Sequence, residues 1–126
     1  IEFTPAESGY VLVELRGSYF PDLKDNRHEA WVDDVIATGE GASIKNGSFE
    51  LIGAENNPVD CGWPKSSKDW YSTDGSQARA GKSCILVWHE RPVIQRISVK
   101  ANSRYKISAW FKRYSSILPR IRKPRL

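Results

Sequence analysis

The stretch AWVDDVIATGEGASIKNGSFEL, Ala30 to Leu51, decides how the chain folds. From Glu29 to Thr38 the residues alternate, so a strand would place Trp31, Asp33 and Val35 on one face and Val32, Asp34 and Ile36 on the other. Such a strand carries a carboxylate on each side. Gly39 to Gly47 is rich in glycine and reads as a turn, after which Ser48 to Leu51 reads as a short strand. A closing and an opening strand follow one another here across a glycine-rich joint.

Outward from this joint the pattern stays that of short strands. Gly9 to Leu15 (GYVLVEL) is β-branched and mostly apolar, the mark of a well-buried strand. Gly53 to Gly81 is dominated by Gly, Pro, Asn, Asp and Ser and reads as loop, with one short strand around Trp70. Lys82 to Glu90, Val93 to Lys100 and Arg104 to Arg113 are strands again, with a tight turn at Ala101 to Ser103. In the last of these Tyr105, Ile107, Ala109 and Phe111 share one face, and Lys106, Ser108, Trp110 and Lys112 the other. No segment holds a 3.6-residue period for more than a turn or two. Strands this short, punctuated every ten or so residues, predict an all-β fold, an antiparallel β-sandwich.

Composition bounds the function. With 126 residues the chain fits one domain with a real core, and 40% hydrophobic with 27% charged residues is the balance of a folded protein. Five Trp with no Met is a heavy aromatic load, enough that some are expected to face outward. The net charge of +4 is uneven. Lys112 to Leu126 carries six basic residues and no acid, which leaves 13 basic against 15 acidic residues elsewhere, a net −2. That balance argues against a nucleic-acid binder, which spreads positive charge over its contact face. No apolar run reaches the length of a membrane span, and the first residue, Ile1, suggests a processed or excised piece. Cys61 and Cys84 are too few for a zinc site; they form one disulfide in an exported protein, or remain a loop thiol and a buried strand residue.

Several motifs then fall in a familiar order. NGSFE at Asn46 to Glu50, GW at Gly62 and Trp63, ARAGKS at Ala78 to Ser83, IQRISV with Gln95, and RYKISAWFK at Arg104 to Lys112 resemble the opening half of a galactose-binding-like jelly roll. The likeness is to carbohydrate-binding modules of families 4, 9, 16 and 22, which accompany polysaccharide-degrading enzymes. The earlier segments GYVLVELRG and AWVDDVIATGE resemble the closing half of the same fold. The halves stand in inverted order. The resemblance therefore implies a single sandwich over residues 1–113, with 1–40 as its closing half, 46–113 as its opening half, and 114–126 as a basic tail or linker. It is either circularly permuted, domain-swapped between two chains, or a fragment across tandem modules; jelly-roll termini lie close enough for a short joint to connect them.

The resemblance also implies a structural calcium, held by Glu50, by Asp33 rather than Asp34, and by the carbonyl of Lys82 or Ser83. Calcium takes six to eight oxygens, and such a site would account for a carboxylate on the same strand face as Trp31 and Val35. The plainer reading leaves both acids solvated or paired with Lys or Arg. Sugars stack their C–H faces on aromatic rings, which makes Trp70, Tyr71, Trp110 and Trp63 the candidate contacts, with Gln95 as a hydrogen-bonding partner. Trp63 sits at a loop position that favours packing, and of the neighbours Trp70 and Tyr71 an extended segment exposes one. Trp31 is read as core.

No nucleophile, metalloprotease or phosphate-loop motif is present, and Asp33 and Asp34, facing opposite ways, cannot supply the paired carboxylates of a glycosidase. The expected function is a non-catalytic module that holds a catalytic domain of its parent chain near a polysaccharide, in a secreted or cell-surface protein. The alternative is a structural or interaction sandwich within a polysaccharide lyase or glycoside hydrolase, with no sugar site of its own. A binding module exposes two or more aromatics on one surface; the structural alternative buries Trp70, Tyr71, Trp88 and Trp110.

Overall fold

The computed structural model describes residues 1–17, 19, 29–51, 62–63, 71–72, 75–113 and 120–121. Eight strands run through them: β1 (Glu2–Phe3), β2 (Gly9–Arg16), β3 (Ala30–Thr38), β4 (Tyr71–Ser72), β5 (Cys84–Val87), β6 (Val93–Val99), β7 (Tyr105–Arg113) and β8 (Arg120–Ile121). Among the described residues there is no helix. One sheet has the order β1-β7-β3-β5-β4 and the other β6-β2-β8, and the pairings are antiparallel. The all-β expectation holds, and the two halves of the chain pair with each other: β3 lies between β7 and β5, and β2 beside β6.

The core lies between the sheets. Leu15 and Val93 of the smaller sheet pack with Val32, Ile85 and Val87 of the larger one, together with Phe49 and Trp63. At the other end Val11, Val13, Ile97 and Val99 meet Tyr105 and Ile107. Alternation produces this directly: Val11, Val13 and Leu15 of β2, Val93, Ile97 and Val99 of β6, and Tyr105 and Ile107 of β7 turn inward at every second position, with Gln95 as the polar member of the β6 row. Burying each such side chain contributes about 1.5–3 kcal/mol.

β3 departs from simple alternation. Its register against β7 shifts between Asp33 and Ile36, and Asp34 takes a φ of 47°, so a bulge re-aims the strand. Val32 and Val35 both become buried, while Trp31, Asp33 and Ile36 lie opposite the outward residues Lys112, Trp110 and Ser108. The expected grouping of Trp31, Asp33 and Val35 on one face therefore fails beyond Asp33.

The segment expected to be a strand at Ser48 to Leu51 is instead turn and coil, because Asn46 (φ 53°) and Phe49 (φ 58°) are left-handed. The Asn46 side chain replaces strand pairing: its Nδ2 donates to the Leu51 carbonyl and its Oδ1 accepts the Leu51 N–H, each at 3.0 Å. Two residues of the basic tail, Arg120 and Ile121, pair with Arg16 and Leu15, a short edge strand that the tail's composition did not suggest.

The joint between the halves is tied down along its length. Tyr105 Oη donates to the Glu40 carbonyl at 2.8 Å and accepts the Lys100 N–H at 2.7 Å. Gln95 reads Lys45 on both sides, accepting its N–H at 2.7 Å and donating to its carbonyl at 2.9 Å. The Val35 N–H, released by the bulge, donates to the Gly47 carbonyl at 2.9 Å. Two glycines make this approach possible: a Cβ at Gly47 would collide with the Val35 carbonyl oxygen, and one at Gly39 with the Tyr105 ring. Replacing either by Ala should therefore lower stability by about 2 kcal/mol or more in equilibrium urea unfolding. Unchanged midpoints for both variants would show that the joint moves aside freely and does not brace the fold.

Candidate functional site

Asp33 and Glu50 do converge, and what they converge on is the loop from Arg79 to Ser83. Asp33 Oδ2 accepts the N–H groups of Arg79 (2.9 Å) and Ala80 (3.2 Å), while its Oδ1 accepts the N–H of Asp34 (2.7 Å). Glu50 Oε1 accepts the N–H groups of Lys82 (3.0 Å) and Ser83 (2.9 Å). Two carboxylates on opposite sides of the joint thus hold successive amides of a single loop. Charge-assisted bonds of this kind are about twice as strong as neutral ones. The Asp33 side chain is buried, and this burial pushes its carboxyl above the usual carboxylate range, outweighing the three amides that pull it down.

The same geometry defines what is available to a calcium ion. Both Asp33 oxygens and Glu50 Oε1 are occupied by N–H donors, and the Lys82 carbonyl accepts the Gly75 N–H at 2.9 Å. Among the described residues Glu50 Oε2 is the carboxylate oxygen of this pair without a hydrogen bond. No group of three His, Cys, Asp or Glu side chains gathers among them. A calcium shell at this point would draw most of its oxygens from main-chain carbonyls and water.

On the outer face of the larger sheet stands Trp110, 54% exposed, with Lys106, Ser108 and Lys112 beside it on β7. The Arg79 guanidinium lies 3.9 Å from the centre of the Trp110 ring, and its Nη1 is fixed by Asp34 Oδ2 at 2.6 Å. Cation–π stacking and the ion pair together hold a planar cation against the ring. Beside them is a shallow cleft of about 110 Å³ lined by Trp31, Asp33, Gln77, Arg79, Trp110 and Lys112 among others.

The other expected contacts are placed differently. Trp63 is fully buried: its ring packs on Phe49 at 5.3 Å between centroids and its Nε1 donates to the Asn46 carbonyl at 2.8 Å. Gln95 is buried as well, and besides Lys45 it donates to the Gly62 carbonyl at 3.0 Å. Both side chains are buried and spend their polar atoms on backbone groups of the fold. Tyr71 belongs to β4, at the edge of the larger sheet, whereas Trp70 and Cys61 lie outside the described residues. Cys84 is buried in β5, and Trp88 is buried too. Trp31, read from the sequence as core, is half-buried and faces the cleft. Comparison with family models, with curated proteins and with solved structures finds no match for the chain.

Arg79 and Asp34 are the residues that the sequence reading passed over. Asp34 follows a residue with a clear role, and Arg79 lies in a polar loop; their meeting depends on the bulge that turns Asp34 outward. The carboxylate grip on the loop has a pH signature. Since the native state holds the Asp33 proton more tightly than the unfolded chain, whose ordinary value is 3.8, the stability contributed by this group is fully present below 3.8. It is lost as pH rises through the higher native value. The stability of wild type relative to Asp33→Asn, followed by urea midpoints from acid to neutral pH, should fall across that window; a flat difference would mean that Asp33 titrates normally. Glu50→Gln should cost about 1–2 kcal/mol at neutral pH by weakening the hold on Lys82 and Ser83.

Proposed function

We propose that this chain is a non-catalytic carbohydrate-binding module built on a jelly-roll sandwich, which directs an attached polysaccharide-degrading domain to its glycan at or beyond the cell surface. The observation that carries this reading is the placement of Trp110. A large aromatic ring on the solvent face of a sheet costs solvation and adds nothing to the core, whereas a sugar ring laid on it buries apolar area on both partners. Lys106, Ser108 and Lys112 around it supply hydrogen-bonding groups for hydroxyls. The sheet below is rigid, so the ring is presented with little motion to lose on binding.

A structural calcium belongs to the same proposal, with Glu50 as its protein carboxylate; when bound it would screen the negative charge beside the Arg79–Ser83 loop and tie the loop more firmly to the joint. A chelator would then lower the melting midpoint, and an unchanged midpoint removes the ion from the reading.

The second reading, a structural domain of a larger glycan-degrading enzyme with no sugar site, is favoured by the internal commitment of Trp63 and Gln95. Affinity electrophoresis on a panel of soluble polysaccharides separates the two. A binding module is retarded by at least one polymer, and Trp110→Ala reduces that retardation about tenfold, the loss of roughly 1.4 kcal/mol from a stacked ring. Migration unaffected by any polymer supports the structural reading.

A further inference from the structure

We propose that the cleft beside Trp110 takes the carboxylate of an acidic sugar, so that the preferred ligand of this face is a uronate-bearing glycan; this rests on the carbohydrate-binding reading and narrows it. The argument is a balance of donors and acceptors. The carboxylates nearest the cleft are already engaged: Asp33 holds three backbone N–H groups with its two oxygens, and Asp34 holds Arg79 through Oδ2. The donors are not. Arg79 has one guanidinium N–H engaged by Asp34, and its others have no partner among the described residues. Among the described residues Lys112 Nζ has only a long contact of 3.5 Å, to the Ser76 carbonyl. The Trp31 indole N–H is buried and unpartnered among the described residues, a state that costs about 1–3 kcal/mol.

A cleft whose spare groups are mainly donors is complemented by a group that only accepts. Neutral sugar hydroxyls can accept from these donors, but through neutral-acceptor bonds weaker than those to an ionised group. An ionised carboxylate offers two acceptor oxygens and no proton, and pairs with guanidinium and ammonium groups through charge-assisted bonds. Arg79 is already flattened on Trp110 and braced by Asp34, so little freedom is lost when it receives the anion. The volume of about 110 Å³ suits a carboxyl group, with the sugar ring it belongs to resting against the exposed part of Trp110. The ring requirement points to a sugar acid rather than a free phosphate.

The test is affinity electrophoresis at fixed moderate salt with alginate, polygalacturonate, fully methyl-esterified galacturonan, neutral xylan, glucan and mannan, and dextran sulfate. Retardation by a polyuronate is expected, falling at least about fivefold when the same backbone is esterified. Lys112→Gln should weaken it by about fivefold, the loss of one charged hydrogen bond. Trp31→Phe, which replaces the indole by a smaller ring without an N–H, should weaken it as well. Should Trp31→Phe fail to fold, Lys112→Gln at an exposed position carries the test alone. Retardation by neutral polymers only, equal retardation by the ester, or polyuronate binding matched by dextran sulfate and indifferent to Lys112→Gln would overturn the proposal while leaving glycan binding in place. If no polymer retards the chain, the carbohydrate-binding reading falls and this proposal with it.

Discussion

The hold of Asp33 and Glu50 on the backbone of the Arg79–Ser83 loop is the constraint on which the rest of the molecule hangs. Asp33 comes from the middle of β3, Glu50 from beyond the glycine-rich joint, and the loop they grip leads directly into β5. β5 is the neighbour of β3 in the larger sheet, so the contact fixes the joint and the sheet at once. The bulge at Asp34 belongs to the same device. It frees the Val35 N–H for Gly47, which draws the joint across the end of the sheet, and it turns Asp34 towards Arg79. Arg79 in turn lies on Trp110. Structural and candidate binding features are thus consecutive links in a single chain of contacts.

Where periodicity was simple, the sequence could be read. In β2, β6 and β7 the side chains alternate without interruption, and strand limits agree with expectation to within two or three residues. The order of the motifs placed Asp33 and Glu50 together, and the structure brings both to the backbone of the Arg79–Ser83 loop. What could not be read has local causes. A bulge adds a residue without altering composition, so the faces of β3 beyond Asp33 were assigned wrongly. Left-handed φ at Asn46 and Phe49 dissolved a strand that its residue types would have favoured. Gln95, polar and mid-strand, looked like a surface donor; it is inside because the joint brings Lys45 to it, a contact between residues distant along the chain.

The outward face of the larger sheet owes its chemistry to the inward one. Core packing requires Tyr105, Ile107, Ala109 and Phe111 to point in, which obliges Lys106, Ser108, Trp110 and Lys112 to point out in a fixed row. Spacing along that row is set by the strand rise, and orientation by the pairing of β7 with β3, so neither depends on loop conformation. Only the Arg79 side of the cleft is carried by a loop, and that loop is the one the two carboxylates pin.

Strand order has a consequence for the nascent chain. β3 is synthesised well before either of its neighbours, β5 and β7, and β1 waits for β7 as well. The larger sheet therefore assembles late, after loop closure over long separations, as in other folds dominated by non-local pairing. During that interval β3 is a nine-residue segment with both edges open and an apolar residue at most positions, the kind of strand that recruits a copy of itself. Two adjacent aspartates at its centre oppose such pairing, because stacking like segments would bring their charges together. The residues that clamp the finished loop also guard the unfinished strand.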